Sequence, residues 1–138
     1  MKMWKKIVIT LGVLIVGVPL VIGGLLIYAT RDMCGNEMYA EELSPDKKYK
    51  AVIFQRDCGA TTGFSTQISI IGANDELENE SGTIFIIDGH PDSVSPEIRW
   101  LSNAELSIEK ILNGSEYKAE KSWGFLSTIK VSYGPGSS

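Results

Sequence analysis

Apolar residues follow two different rules along this chain. Residues 7–29, IVITLGVLIVGVPLVIGGLLIYA, form one uncharged run, whereas from residue 31 onward apolar positions come in short stretches separated by turn residues. As a helix the first run is about 35 Å long, enough to cross a bilayer core of about 30 Å with some tilt. It has no polar face, which argues against a core helix of a small soluble domain. Gly12, Gly17, Gly23, Gly24 and Pro19 weaken a helix in water but are tolerated in a bilayer, where the backbone has no partner but itself. The pattern predicts a transmembrane helix over 7–29 that follows a short basic tail, residues 1–6.

The remainder, residues 30–138, reads as strands. Tyr49 to Arg56 is an apolar stretch rich in strand formers, introduced by the turn Leu43-Ser44-Pro45-Asp46-Lys47-Lys48. There proline presets φ, while serine and aspartate can bond the neighbouring backbone. In residues 66–71 polar and apolar side chains alternate, placing Ile68 and Ile70 on one buried face. Residues 83–87 predict a third strand after an acidic solvated connection over 74–82, which lacks the ligand spacing of an EF-hand loop. Residues 88–92 form another turn, followed by short strands at 98–101 and 106–109 and a last hairpin of 117–123 with 126–133. Parallel neighbours require long crossovers, for which the chain has little room. The expected fold is therefore a mostly-β domain behind a transmembrane helix, an antiparallel meander rolled into a small sandwich or partial barrel. Leu43-Ser44-Pro45-Asp46 and Trp100-Leu101-Ser102-Asn103 both resemble the turn of a propeller blade that continues S-P-D-G-K, but a propeller needs at least four blades.

Charge sets the direction of the anchor. Lys2, Lys5 and Lys6 precede the run, and only Arg31, beside Asp32, follows it closely, so the C-terminal part is expected outside the cytoplasm. A cleavable secretory signal is the rival reading, with an apolar core of about 7–15 residues. The present core is longer, and Ile27 suits poorly the small residue expected two positions before a cleavage at Ala29. Residues Arg31-Asp32-Met33 before Cys34 do not make a lipoprotein box. The expected location is the cytoplasmic membrane, single-pass.

The part beyond the anchor carries 10 of the 13 Lys and Arg and all 17 Asp and Glu, a formal charge of −7. Such a surface disfavours nucleic acid, which needs basic residues, and is repelled by anionic headgroups. A basic protein or a cation is more compatible. Cys34 and Cys58 fall in a compartment where disulfides persist, and a bond between them is expected. Free thiols, or a catalytic thiol served by the single histidine His90, are the alternatives.

The stretch from Ser44 to Ser65, SPDKKYKAVIFQRDCGATTGFS, resembles the signature of a family of small, uncharacterised bacterial membrane-tethered proteins, a domain of unknown function. The resemblance implies a cell-envelope protein with the same anchor-plus-domain plan and supplies no catalytic residue.

Within that stretch RDCGATTGFS is too particular in residue type for a generic connector. Arg56, Asp57, Gly59, Thr61, Thr62 and Ser65 are candidate binding residues, because glycines free the backbone and hydroxyls and successive amides can cradle an anion or a peptide carboxylate. The competing reading is structural: Cys58 pins the loop, its hydroxyls satisfy their own backbone, and Arg56 and Asp57 settle into ion pairs. No catalytic residue is assigned, since Ser65 would need His90 as a base and nothing in the sequence places them together. Asp88, His90 and Asp92 are possible metal ligands, but a polar turn tip explains them equally, so no metal or cofactor is expected. Phe54, Phe85, Trp100, Tyr117 and Trp123 sit at strand spacing and are expected in the core. The function expected is a non-enzymatic binding or structural module of the bacterial envelope, held by the 7–29 helix and contacting another envelope or incoming protein. An immunity protein against an incoming toxin is the narrower alternative, and a small hydrolase or metal-dependent enzyme the other.

Overall fold

The computed structural model describes residues 2–31, 34–59 and 63–135, which divide into a helical unit and a β domain that begins at Cys34. Helix α1, Lys2–Arg31, extends past the predicted span at both ends and contains Pro19. Its segment Lys2–Ala29 is long and apolar enough to cross a membrane, and none of it is buried in protein. Thr10, the most polar residue of the apolar run, donates its hydroxyl to the Lys6 carbonyl at 2.8 Å, so its polar group is satisfied within the helix.

The domain is two unclosed sheets. One holds β1 (Gly35–Leu43), β2 (Tyr49–Asp57), β3 (Phe64–Gly72), β4 (Phe85–Asp88) and β7 (Lys118–Ala119), in that order across the sheet. The other holds β5 (Glu97–Ser102), β6 (Glu105–Glu109), β9 (Ile129–Tyr133) and β8 (Ser122–Trp123). Between them lies the core: Ala51, Ile53, Ile68, Ile70, Phe85 and Ile87 from the first sheet meet Leu106, Ile108, Ile129 and Val131 from the second. Burying one such large side chain is worth about 1.5–3 kcal/mol. This is the mostly-β, sandwich-like fold the strand pattern predicts.

The outer face of the five-stranded sheet is buried as well. Val52 and Phe54 are fully buried, and Gln67 and Ser69 nearly so, although alternation turns them away from the core. The acidic connection from Ala73 to Ile84 folds back over them. Gln67 Oε1 accepts from Gly82 N at 2.6 Å, and Ser69 Oγ from Thr83 N at 3.0 Å. Residues 74–82 are thus the solvated connection expected, its carboxylates exposed, and also a layer that covers the outer face of the sheet. Covering on both faces is also why β2 reads as a continuous apolar run, AVIF, instead of alternating.

Other expectations need correction. Strand β1 has no predicted counterpart, because GNEMYAEEL is an edge strand largely exposed on both faces and so carries no apolar alternation. The predicted strand 117–123 is split: β7 joins the first sheet and β8 the second. Every pairing among the described residues is antiparallel except β6 with β9, which run parallel. The chain finds the length for this crossover by pairing with the first sheet as β7 and returning as β8, so the intervening residues are ordered, not idle. The turn at 88–92 also gives way to a short helix, α2 (Pro91–Val94), with Pro91 in its first turn and His90 as its N-cap.

The two propeller-like turns dock on each other. Ser44, 2 % exposed, donates to Asp46 Oδ1 at 2.7 Å and accepts from Tyr49 N at 3.1 Å. Asp46 N donates to Asn103 Oδ1 at 2.9 Å, and Trp100 Nε1 to the Glu42 carbonyl at 2.9 Å. These bonds tie the β1–β2 turn of one sheet to the β5–β6 turn of the other.

Candidate functional site

Register brings the predicted residues to one end of the five-stranded sheet. Asn36 pairs with Arg56, Arg56 with Ser65 and Ser65 with Asp88, a single row across β1 to β4. Residues opposite one another share a face. Tyr117, just before β7, closes the row by donating its hydroxyl to Asp88 Oδ2 at 2.8 Å. Arg56, Cys58, Gly63, Ser65, Ile86, Asp88 and Tyr117 line a shallow pocket of about 200 Å³. A disulfide joins Cys58 to Cys34, fastening the first residues of the domain to this corner.

Each polar group in the row already has protein partners. Arg56 Nη1 donates to Asn36 Oδ1 at 2.7 Å and to Asn79 Oδ1 at 3.1 Å, and Asn36 Nδ2 donates to the carbonyls of Glu78 and Glu80. The guanidinium therefore holds the acidic covering loop against the sheet edge. Alternation along β2 sends Asp57 to the opposite face from Arg56, so the two do not pair with each other. Asp57 Oδ1 instead accepts from Gly59 N at 3.0 Å, a local turn of the kind aspartate favours. Gly59 and Gly63, at φ 118° and 55°, occupy the left-handed region where glycine is at ease. Thr61 and Thr62, with Ala60, lie outside the described residues.

Ser65 is engaged as well. Its Oγ accepts from Gln67 Nε2 at 2.8 Å and donates to the Arg56 carbonyl at 3.4 Å. The fold does bring His90 to this corner, which sequence spacing could not show: Gly89 N donates to the Phe64 carbonyl, and the imidazole meets the Phe64 ring edge-on at 5.6 Å. Phe64 and Ser65 face opposite sides of β3, however, so the imidazole serves the ring and not the hydroxyl. His90 Nδ1 also accepts from Asp92 N at 3.2 Å and lies 3.3 Å from Asp92 Oδ2. The ring thus caps α2 through Nδ1. Asp88 is committed to Tyr117, and no three His, Cys, Asp or Glu gather as a metal site among the described residues.

Asn36 and Asn79 are not singled out by the sequence, Asp88 only as a possible metal ligand, and Tyr117 is expected in the core. Tyr117 is 71 % exposed, and its phenol is held above the usual range, first by the hydrogen bond to Asp88 and then by that carboxylate's charge. Of the other aromatic residues, Phe54 and Phe85 are fully buried, and Trp100 and Trp123 pack half-buried against the core. Chemically the corner offers a fixed guanidinium, a phenol and a carboxylate within one shallow surface, suited to hydrogen-bonded recognition of a polar group. No buried side-chain polar atom among the described residues lacks a partner. No family model, curated protein or solved structure matches the chain.

Proposed function

We propose that the chain is a single-pass protein of the bacterial cytoplasmic membrane, held by the 7–29 span, whose β domain stands outside the cytoplasm as a non-enzymatic binding or structural module. The observation that carries this reading is the junction: the apolar helix ends at Arg31, and β1 begins at Gly35 beside a disulfide that suits an oxidising compartment. The basic flank on the N-terminal side supports the direction. The surface around Arg56, Ser65, Asp88 and Tyr117 is the recognition face of this reading, with Asp57, Gly59, Thr61 and Thr62 kept as candidates on their sequence alone, and its partner is another envelope or incoming protein. The likeness of residues 44–65 to small membrane-tethered bacterial proteins agrees with it.

Two measurements test the proposal. Alkaline phosphatase fused after Ser138 is expected to be active and a fluorescent protein at the same place dark, since the first needs the outside and the second the cytosol. The opposite pair of results removes the reading. A photo-crosslinking residue in place of Thr61, in the full-length protein in its own membrane, is expected to capture a protein partner, and a clean blank across growth conditions counts against the recognition face.

A further inference from the structure

The hairpin between β8 and β9 ends in Phe125 and Leu126, 94 % and 93 % exposed, the barest large apolar side chains among the described residues. This is a built feature. Gly124 sits at φ 100°, and a Cβ there would collide with the Ser127 carbonyl, while at the base Trp123 packs edge-on against Tyr49 with ring centroids 5.4 Å apart. Two adjacent apolar side chains held out in this way present on the order of a few hundred Å², comparable to the largest apolar patch of an ordinary monomer, which is often functional.

Tyr49 and Trp123 also form one wall of a groove of about 820 Å³, whose other lining residues include Asp75, Glu76, Glu78 and Glu80 and no Lys or Arg. None of these four carboxylates is in an ion pair among the described residues. The groove runs along the sheet: Asp75 N donates to the Gly72 carbonyl opposite Tyr49 at one end of β2, and the Glu78 and Glu80 carbonyls accept from Asn36 near the other.

We propose that the Phe125–Leu126 tip and this groove are a docking surface for a second protein, one that offers an apolar pocket to the tip and a basic segment to the groove. Charge selects this occupant. An anionic lipid surface is repelled by the carboxylates, and a second copy brings a domain of the same net negative charge. The inference rests on reading the domain as a binding module but not on the Arg56–Tyr117 corner.

The test uses the full-length protein in its own membrane, with benzoylphenylalanine replacing Phe125. The expected product is one protein adduct whose crosslinked peptide carries net positive charge. Its yield should fall at least tenfold when Asp75→Asn, Glu76→Gln, Glu78→Gln and Glu80→Gln are combined, with the melting temperature unchanged as the check on folding. An adduct to lipid, to a second copy or to a neutral or acidic peptide overturns the proposal. So does a yield indifferent to neutralisation, or no adduct at all. Capture at Thr61 with none at position 125 overturns this inference alone, and capture at position 125 with none at Thr61 overturns only the other face.

Discussion

Lys47 takes φ 60° in the turn where the S-P-D-G-K pattern has glycine. For a residue with a Cβ the left-handed region costs about 1–2 kcal/mol, part of which glycine gives back as unfolded-state entropy. Lys47→Gly is therefore expected to stabilise the domain by about 0.5–1 kcal/mol, read as a higher urea midpoint at unchanged slope. Gly82 is the reverse case. A Cβ there would lie 2.9 Å from both Gln67 Cβ and the Phe85 carbonyl, so Gly82→Ala should cost about 1–3 kcal/mol and loosen the covering loop first. Asp46 gives a pH signature. The Ser44 hydroxyl and then the Lys48 amide hold its carboxyl below the usual 3.8, so its contribution is complete above that value and is lost as the pH falls through the lower folded one. Melting curves between pH 5 and 2 should be less steep in pH for Asp46→Asn than for the parent. The local half of this turn is legible in Ser44-Pro45-Asp46, but the bond to Asn103 is not, because nothing in a single chain announces which two turns will meet.

Strands were legible where burial is one-sided or complete. Residues 66–71 alternate because one face packs in the apolar core while the other, also buried, bonds the covering loop through Gln67 and Ser69; 49–56 read as an apolar run because both faces of Ala51 to Phe54 are covered by apolar contacts. Strand β1 was illegible for the complementary reason: an edge exposed on both faces is under no demand for apolar residues. What secures it is covalent and peripheral, the Cys34–Cys58 bond at one end and the Trp100 contact to Glu42 at the other. Replacing both cysteines by serine should cost about 3.5 kcal/mol by loop entropy for a separation of 24. Hydrogen exchange should then quicken at residues 35–38 well before residues 41–43. The candidate corner was half legible. The glycines and Arg56 stand out in the sequence, but Asn36, Asp88 and Tyr117 join them only through register, which single-strand patterns do not encode.

At the scale of the molecule, one phenol spans the two layers. Tyr133 donates to the Glu120 carbonyl at 2.7 Å and lies 3.3 Å from that of Ile84, and burial, then the charges of Glu120 and Glu116, push its ionisation far above the ordinary tyrosine range. Tyr133→Phe keeps the ring and removes the bond, with an expected loss of about 1 kcal/mol measurable by chemical denaturation. The rule that parallel strands need more chain than is present misled because the connection does structural duty on its way. Strand β9 arrives after every other strand yet sits inside its sheet, flanked by β6 and β8, and brings Ile129 and Val131 to the core. Until residues 129–133 are at hand, the second layer lacks its middle and two of its four buried core side chains, holding only Leu106 and Ile108. Synthesis runs from the N-terminus, so β1 to β4 can pair early while the second layer waits, unfinished, for residues 129–133 to leave the ribosome.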